Sequence, residues 1–179
     1  GTAAAWDKLI GNNIALGSTQ KMTFAGWIYK TGDSVYSVGS VVDFGLRDLG
    51  LMVNSVERLL FVAKWNGDNS VYWWTDTGVF SQNEWVHIAA TYDANSSSNL
   101  PKLYVNGVEQ TVTVLSGIAT GDYYGIRGSA AFLGNTKGYD PWTTRGLVGN
   151  MSEWGIWNTI LPASDLMALY QAKNAPGLK

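Results

Sequence analysis

The sequence predicts an all-β protein built from two packed antiparallel sheets, and one pair of segments predicts it best. Residues 85–93 and 103–107 are apolar and rich in aromatic or β-branched side chains, as half-buried strands are. The polar run 94–99 lies between them, and Asn106-Gly107 is a dipeptide that accepts the positive φ of a tight hairpin turn. Further short apolar segments, separated by turn residues, recur along the 179 residues. This recurrence is typical of a β-sandwich.

Five strands are predicted before this hairpin. The first, residues 22–30, carries apolar side chains on both faces, so we expect it to be covered on both sides. The others are predicted over residues 36–45, 49–54, 57–65 and 71–75. Asn66-Gly67-Asp68-Asn69 supplies the turn between the last two of them.

Three strands and one helix are predicted after the hairpin. The strands span residues 109–115, 129–134 and 147–157, and two long loops, 116–128 and 135–146, separate them. The helix begins near Pro162, since proline is well tolerated in a first helical turn.

The helix repeats its apolar residues at helical spacing, with Leu166, Leu169 and Tyr170 on one face. Many strands with one short C-terminal helix indicate a two-sheet antiparallel jelly-roll sandwich. The length fits one domain over residues 1–179.

Composition excludes several functions. The formal net charge is −2, 15% of residues are charged and no basic stripe is visible, so nucleic acid is not a predicted partner. No apolar run approaches the ~20 residues that span a bilayer, so membrane insertion is not predicted. The chain has no cysteine, which excludes disulfides and thiolate metal sites.

Three motifs, in order along the chain, resemble one known family. Residues 149–161, followed by Leu169-Tyr170, resemble the last strand and short helix of laminin-G-like jelly-roll domains. Residues 85–93 with 103–107 are similar to the central hairpin of that family, and residues 23–28 to its early strand. The resemblance implies the concanavalin A-like superfamily, whose members include sugar-binding modules, adhesion domains, glycoside hydrolases and domains on phage particles. Fold alone does not choose among these functions.

The resemblance also bears on metal binding. Related domains often place an aspartate in the last strand that helps to hold a structural calcium, and Ser152 occupies the matching position. A neutral hydroxyl is a poor ligand for a hard divalent cation, and the neighbouring Glu153 points to the opposite face of a regular strand. Calcium is therefore doubtful there, although backbone carbonyls could contribute, and no other cofactor is predicted.

Catalysis has no visible motif. Sandwich glucanases carry Glu-x-Asp-x-x-Glu on one strand, and Glu57, Glu84, Glu109 and Glu153 each lack an acidic residue two positions later. His87 is the single histidine, and we interpret it as a hydrogen-bonded structural residue rather than as a general base. The chain is therefore predicted not to be an enzyme.

Aromatic residues suggest where a ligand would bind. Sugars stack on exposed aromatic rings and bond to planar polar groups. The nine tryptophans and nine tyrosines are many for this length, and we expect most of them to fill the core of the sandwich and a few to form a ligand platform. One candidate site is the 65–74 hairpin, with Trp65, Asp68 and Trp73. Consecutive Tyr72-Trp73-Trp74 must place rings on both sides of a sheet, so these rings do not all share one core.

The second candidate site lies in the long loop 135–146. Its residues are Tyr139, Asp140, Trp142 and Arg145, and the preceding loop adds Tyr123, Tyr124 and Arg127. Long loops without secondary structure are often functional. The alternative is that Trp142 caps the sandwich and Arg145 is a solvated charge.

The sequence therefore favours a non-catalytic carbohydrate-binding, lectin-like or adhesion module that recognises a glycan or polysaccharide through aromatic residues on loops. Its location would be extracellular or on a virion surface. The first alternative is a structural or interaction domain of a larger assembly, such as a phage particle, with another structural protein as partner. The second is a hydrolase or lyase with an unrecognised site.

Overall fold

The computed structural model describes residues 20–45, 47–67, 69–126, 131–136 and 145–172, which form eleven strands and one helix. The elements are β1 (Lys21–Lys30), β2 (Val38–Phe44), β3 (Leu49–Asn54), β4 (Leu59–Trp65), β5 (Asn69–Thr75), β6 (Trp85–Asp93), β7 (Lys102–Val105), β8 (Val108–Gln110), β9 (Val112–Ser116), β10 (Ala131–Leu133), β11 (Gly149–Trp157) and α1 (Ala163–Gln171).

The strands form two antiparallel sheets, as the sequence predicts. The five-stranded sheet has the order β11-β1-β6-β7-β8, and the six-stranded sheet has the order β10-β2-β3-β4-β5-β9. Strands distant in sequence are neighbours in both sheets, which is the connectivity of a jelly-roll sandwich.

The central hairpin forms where the sequence places it. β6 pairs with β7 through Ile88 opposite Val105, and β7 turns into β8 at Asn106 and Gly107. Their φ angles are 49° and 78°, the left-handed conformation that the dipeptide predicted.

One predicted strand is wrong. Residues 109–115 were expected to form a single strand, but β8 ends at Gln110 and pairs with β7, whereas β9 begins at Val112 and pairs with β5. The chain therefore passes from one sheet to the other at Thr111. Alternating side chains look the same on both sides of this crossing, so periodicity alone could not locate it.

The main core lies between the two sheets and is rich in stacked rings. Phe24 packs on Phe44 at 5.7 Å between ring centroids, and Phe61 lies 5.2 Å from Tyr92. The indole Nε1 of Trp65 donates a 3.0 Å hydrogen bond to the Tyr92 hydroxyl inside this core. Large rings therefore fill the space between the sheets, as one interpretation of the composition held.

The helix covers the outer face of the five-stranded sheet. Leu166 is fully buried against Ala25, Ala89 and Tyr104, and the Tyr170 ring lies 5.8 Å from that of Trp27. Both faces of β1 are consequently covered, as predicted. Within the described part of the chain, the outer face of the six-stranded sheet carries no such helix.

Candidate functional site

The outer face of the six-stranded sheet, on which the described residues place no helix, has an apolar floor. Met52, Leu60 and Val62 are buried there, and the half-buried Tyr72 and Trp74 pack against them. Trp74 lies opposite Leu60, and Tyr72 lies opposite Val62 in the adjacent strand. Since side chains alternate along a strand, these residues face away from the main core, which receives Phe61 and its neighbours.

Two guanidinium groups lie against aromatic rings on this side. Cζ of Arg58 lies 3.9 Å from the centre of the Trp74 ring, and Cζ of Arg145 lies 4.9 Å from that of Tyr36. Both are cation–π contacts. We call the surface formed by Tyr36, Arg58, Tyr72, Trp74 and Arg145 the aromatic–arginine face.

Arg58 has no acidic partner among the described residues, and its buried Nε has no hydrogen-bond partner there either. Its side chain is half-buried against an indole instead. A guanidinium carries five donors in a fork that matches a carboxylate, sulfate or phosphate. Arg58 is therefore placed to donate to an anionic ligand that contacts Trp74.

Arg145 is half-buried on the same surface. Burial lowers the pKa of Arg145, repulsion by Arg47 lowers it further, and Tyr36 and Tyr72 act in the opposite direction. The carbonyl of Arg145 accepts a 2.7 Å hydrogen bond from the Ser40 backbone, which fixes its backbone beside β2. Positive charge is thus concentrated at a partly desolvated surface.

The two aspartates near this surface are already engaged. Asp48 is buried and pairs with Lys64 at 2.9 Å. Asp43 is buried as well, and its carboxylate accepts from the Thr136 hydroxyl at 2.6 Å and from the backbone N–H of Arg47 at 3.0 Å. Their negative charges therefore stabilise the protein rather than project toward a ligand.

The structure separates the predicted site residues into three groups. Arg145 lies on the aromatic–arginine face, and Tyr124 lies beside it, with its ring centre 5.8 Å from Lys64 Nζ. Tyr123 packs on Trp65, with ring centroids 5.6 Å apart, and belongs to the edge of the core. The remaining predictions, Asp68, Arg127, Tyr139, Asp140 and Trp142, lie outside the described residues.

Trp65 and Trp73 do not offer a ring to solvent. Their exposed fractions are 2% and 1%, and both belong to the main core. They share the inward phase of their strands with Phe61 and Val71, so the sandwich buries them. These two residues therefore form no exposed platform on which a sugar could stack.

Sequence reasoning placed Tyr72 and Trp74 in the 65–74 hairpin site without assigning them to a face of the sheet, and it did not include Tyr36 or Arg58. The signal for the face of the first two was present: once Trp73 is assigned to the core, alternation places Tyr72 and Trp74 outside. The contact between Arg58 and Trp74 depends on the pairing of β4 with β5, which the sequence does not specify. Thr136 and Arg145, which flank residues 137–144, both contact this side of the sheet.

The aromatic–arginine face and His87 lie on opposite sides of the molecule. His87 is 2% exposed and packs edge-on to Trp27, with ring centroids 5.3 Å apart, on the outer face of the five-stranded sheet. Burial lowers the pKa of His87 to about 4, so the ring is neutral at pH 7. It was expected to be hydrogen-bonded, but its Nδ1 has no partner among the described residues.

The predicted calcium position is distorted. β11 bulges opposite β1 between Ala25 and Trp27, and Glu153 adopts φ 53°, so the regular alternation assumed for Ser152 and Glu153 is interrupted there. Across the described residues, no group of three or more His, Cys, Asp or Glu side chains is arranged to hold a metal ion.

Comparison with known proteins assigns the family. A laminin-G family model, described as the concanavalin A-like lectin/glucanases superfamily, matches residues 7–167, and the chain belongs to this family. The sequence has no significant match among curated proteins. No helix in the described ranges has the length and apolar character needed to cross a membrane.

Solved structures share the fold at low identity. The CBM40 domain of Ruminococcus gnavus IT-sialidase, bound to α2,3-sialyllactose, is 12% identical with a TM-score of 0.63, over 86% of this chain and 84% of that one. The heptameric SAP-like pentraxin of Limulus polyphemus is 12% identical with a TM-score of 0.62, over 88% and 72%. A putative carbohydrate-binding protein of Bacteroides ovatus is 18% identical with a TM-score of 0.56, over 83% and 40%.

Proposed function

We propose that this domain is a non-catalytic glycan-binding module, that its ligands are anionic glycans, and that the aromatic–arginine face binds them. The observation that carries the proposal is the stacking of Arg58 on Trp74, with no described carboxylate paired to that guanidinium. An acidic sugar presents an apolar ring face and an anionic group together, and this pair of side chains complements both.

The charge distribution supports an anionic ligand. The whole chain has a formal net charge of −2, yet Arg47, Arg58 and Arg145 lie on one side of the six-stranded sheet. The nearby Asp43 and Asp48 are buried and bonded internally. A local excess of positive charge on an acidic protein attracts anions and repels competing cations.

The comparisons are in line with this proposal. The CBM40 domain, which shares the fold, was solved with sialyllactose, an anionic oligosaccharide. Catalysis of the two-carboxylate type needs an acid and a base or nucleophile roughly 5–9 Å apart at the sugar. The aspartates beside the aromatic–arginine face are committed to other contacts, which supports binding without hydrolysis and a location where glycans are displayed.

A glycan array that contrasts sialylated, sulfated and uronate glycans with their neutral counterparts tests the proposal. We expect retention of acidic glycans, and binding that weakens as salt is raised, because the contact is charge-assisted. Arg58→Gln should weaken binding about tenfold, as the loss of one charge-assisted contact implies. Lys102→Gln, which removes an exposed positive charge from the other sheet, should leave binding unchanged.

Two results would contradict the proposal. One is preferential binding of neutral glycans, or of none, by the folded protein. The other is equal loss of affinity in Arg58→Gln and Lys102→Gln, since this would show only a general charge effect.

A second candidate function is a structural or interaction domain, which the edge strand β9 favours. Val114 and Leu115 on β9 are exposed, and Ile118 just beyond it is 74% exposed. β9 ends the six-stranded sheet, and an apolar open edge is a surface on which another protein chain can pair. A mass larger than the monomer in solution, abolished by Val114→Lys, would support this function, and a monomer at high concentration would contradict self-association.

A further inference from the structure

A small pocket lies on the outer face of the five-stranded sheet, remote from the aromatic–arginine face. It occupies about 200 Å³ between β11 and the end of α1. The side chains that define it are those of Trp27, His87, Glu153, Trp154, Trp157 and Leu169. At ~30 Å³ for each water this volume holds about seven waters, which suits a small ligand rather than a glycan chain.

Gly155 lets the Trp157 indole lie flat on the outer face, whereas Gly26 accommodates Trp154 on the inner face, where Trp154 packs against the main core and supports the pocket from below. A Cβ atom at Gly155 would come within 2.3 Å of the Trp157 ring, and one at Gly26 within 2.5 Å of the Trp154 ring. Trp154 is held by a 3.1 Å hydrogen bond from its Nε1 to the carbonyl of Trp27. Trp27 itself is fixed between His87 and Tyr170, with ring centroids 5.3 and 5.8 Å away. The aromatic lining is therefore rigid.

His87 contributes a buried polar group without a partner. The residue is 2% exposed, it lines the pocket, and its Nδ1 makes no hydrogen bond to the described residues. Buried polar groups in folded proteins are nearly always paired, and an N–H of a ligand in the pocket would pair this one. Since burial keeps the ring neutral at pH 7, it adds no positive charge to the pocket.

Glu153 supplies the charge. It is the one charged residue among the described lining residues, and it is exposed at the bulge of β11. Its φ of 53° lies in the left-handed region, which glutamate seldom adopts. The bulge thus sets a carboxylate beside the indoles, and no described lysine or arginine lines the pocket to neutralise it.

We propose that this pocket binds a small organic cation, a methylated or alkylated ammonium group, with the indoles contacting the cation and Glu153 balancing its charge. Tryptophan is the side chain that attracts cations best through its ring face, and the attraction grows when water is excluded. An anionic ligand is disfavoured by Glu153, so this site and the aromatic–arginine face select opposite charges. This proposal does not depend on the proposed glycan-binding function.

Titration of the full chain with tetramethylammonium chloride, followed through the indole N–H signals in ¹H–¹⁵N spectra, tests it. We expect saturable shifts of the Trp27 and Trp157 signals at millimolar ligand. tert-Butanol, an uncharged molecule of similar shape, should bind at least about fivefold more weakly, because it lacks the cation–π attraction. Sodium chloride at equal concentration controls for ionic strength.

Variants locate the site. Glu153→Gln keeps the shape and removes the charge, and should weaken tetramethylammonium binding about five- to tenfold. Glu84→Gln removes an exposed charge elsewhere and should have no effect. The proposal is overturned if tert-butanol binds as well as the cation, if the two variants behave alike, if neutral sugars shift these signals in place of the cation, or if no indole signal responds.

Discussion

The hydrogen bond between Trp65 and Tyr92 gives a sharp test of how the core is organised. Both residues are buried between the sheets, and the 3.0 Å bond is the partner that the structure gives to the Trp65 N–H. Burial also raises the pKa of Tyr92, so its hydroxyl is protonated at neutral pH. Tyr92→Phe removes this one oxygen and keeps the ring packed on Phe61 and Trp73.

The expected cost follows from the group left behind. A buried donor without a partner loses its solvation, which costs about 1–3 kcal/mol, whereas the ring contacts are retained. For a domain of this size about 1 kcal/mol corresponds to about 2–4 °C in Tm, so we expect Tm to fall by roughly 2–12 °C. The measurement is urea unfolding followed by tryptophan fluorescence, with calorimetry for Tm.

A double-mutant cycle makes the reasoning specific. Trp65→Phe removes the donor, and in the double variant neither partner is left unpaired. The double variant should therefore lose less free energy of unfolding than the sum of the losses in the two single variants. Tyr104→Phe is the control, since Tyr104 is also buried but its hydroxyl donates a longer 3.3 Å bond to the exposed side chain of Glu109. A free energy of unfolding for Tyr92→Phe within about 0.5 kcal/mol of the parent would refute the reasoning.

Three further outcomes follow from the same structure. Glu153→Gly should raise the free energy of unfolding by about 1 kcal/mol, because Glu153 has φ 53°, and Glu153→Val should lower it; a reversed order in urea unfolding would contradict this. Lys30→Met should lower the free energy of unfolding by about 1 kcal/mol, since the buried Lys30 amine loses its bonds to Asp33 at 2.6 Å and Glu57 at 3.2 Å, while both carboxylates keep access to solvent and Glu57 keeps its bond from Gln82; a neutral effect would show that the pairs contribute little. The pKa of His87 is about 4 in the folded protein and 6.5 in the unfolded chain, so between these two pH values the unfolded chain binds one more proton. The free energy of unfolding should therefore fall as the pH falls from about 7 to 4, and His87→Gln should flatten this part of the profile of unfolding free energy against pH.

Much of the fold could be predicted because it follows from local patterns. The positions of β1, β6 and α1, and the turn at Asn106-Gly107, follow from residue alternation, helical spacing and a dipeptide that tolerates positive φ. These signals depend on neighbours in sequence. The family resemblance was confirmed as well, since it rested on motifs that keep their order along the chain.

The surface of the proposed site was harder to predict from the sequence than the fold, for a physical reason. Trp65 and Trp73 resemble candidate sugar platforms in sequence, and burial against the opposite sheet places them in the core instead. The contact of Arg58 with Trp74 needs β4 and β5 in one particular register, and a shift of one residue would reverse every side chain.

The sequence by itself determined that this chain forms strands with one amphipathic helix, that it lacks cysteine chemistry, and that it belongs among lectin-like sandwiches. Tertiary structure decided which sheet each strand joins, where the chain crosses at Thr111, and which face α1 covers. The difference arises because strand pairing and sheet packing join residues far apart in the chain, and only their assembly shows which rings are buried and that Arg58 stacks on Trp74.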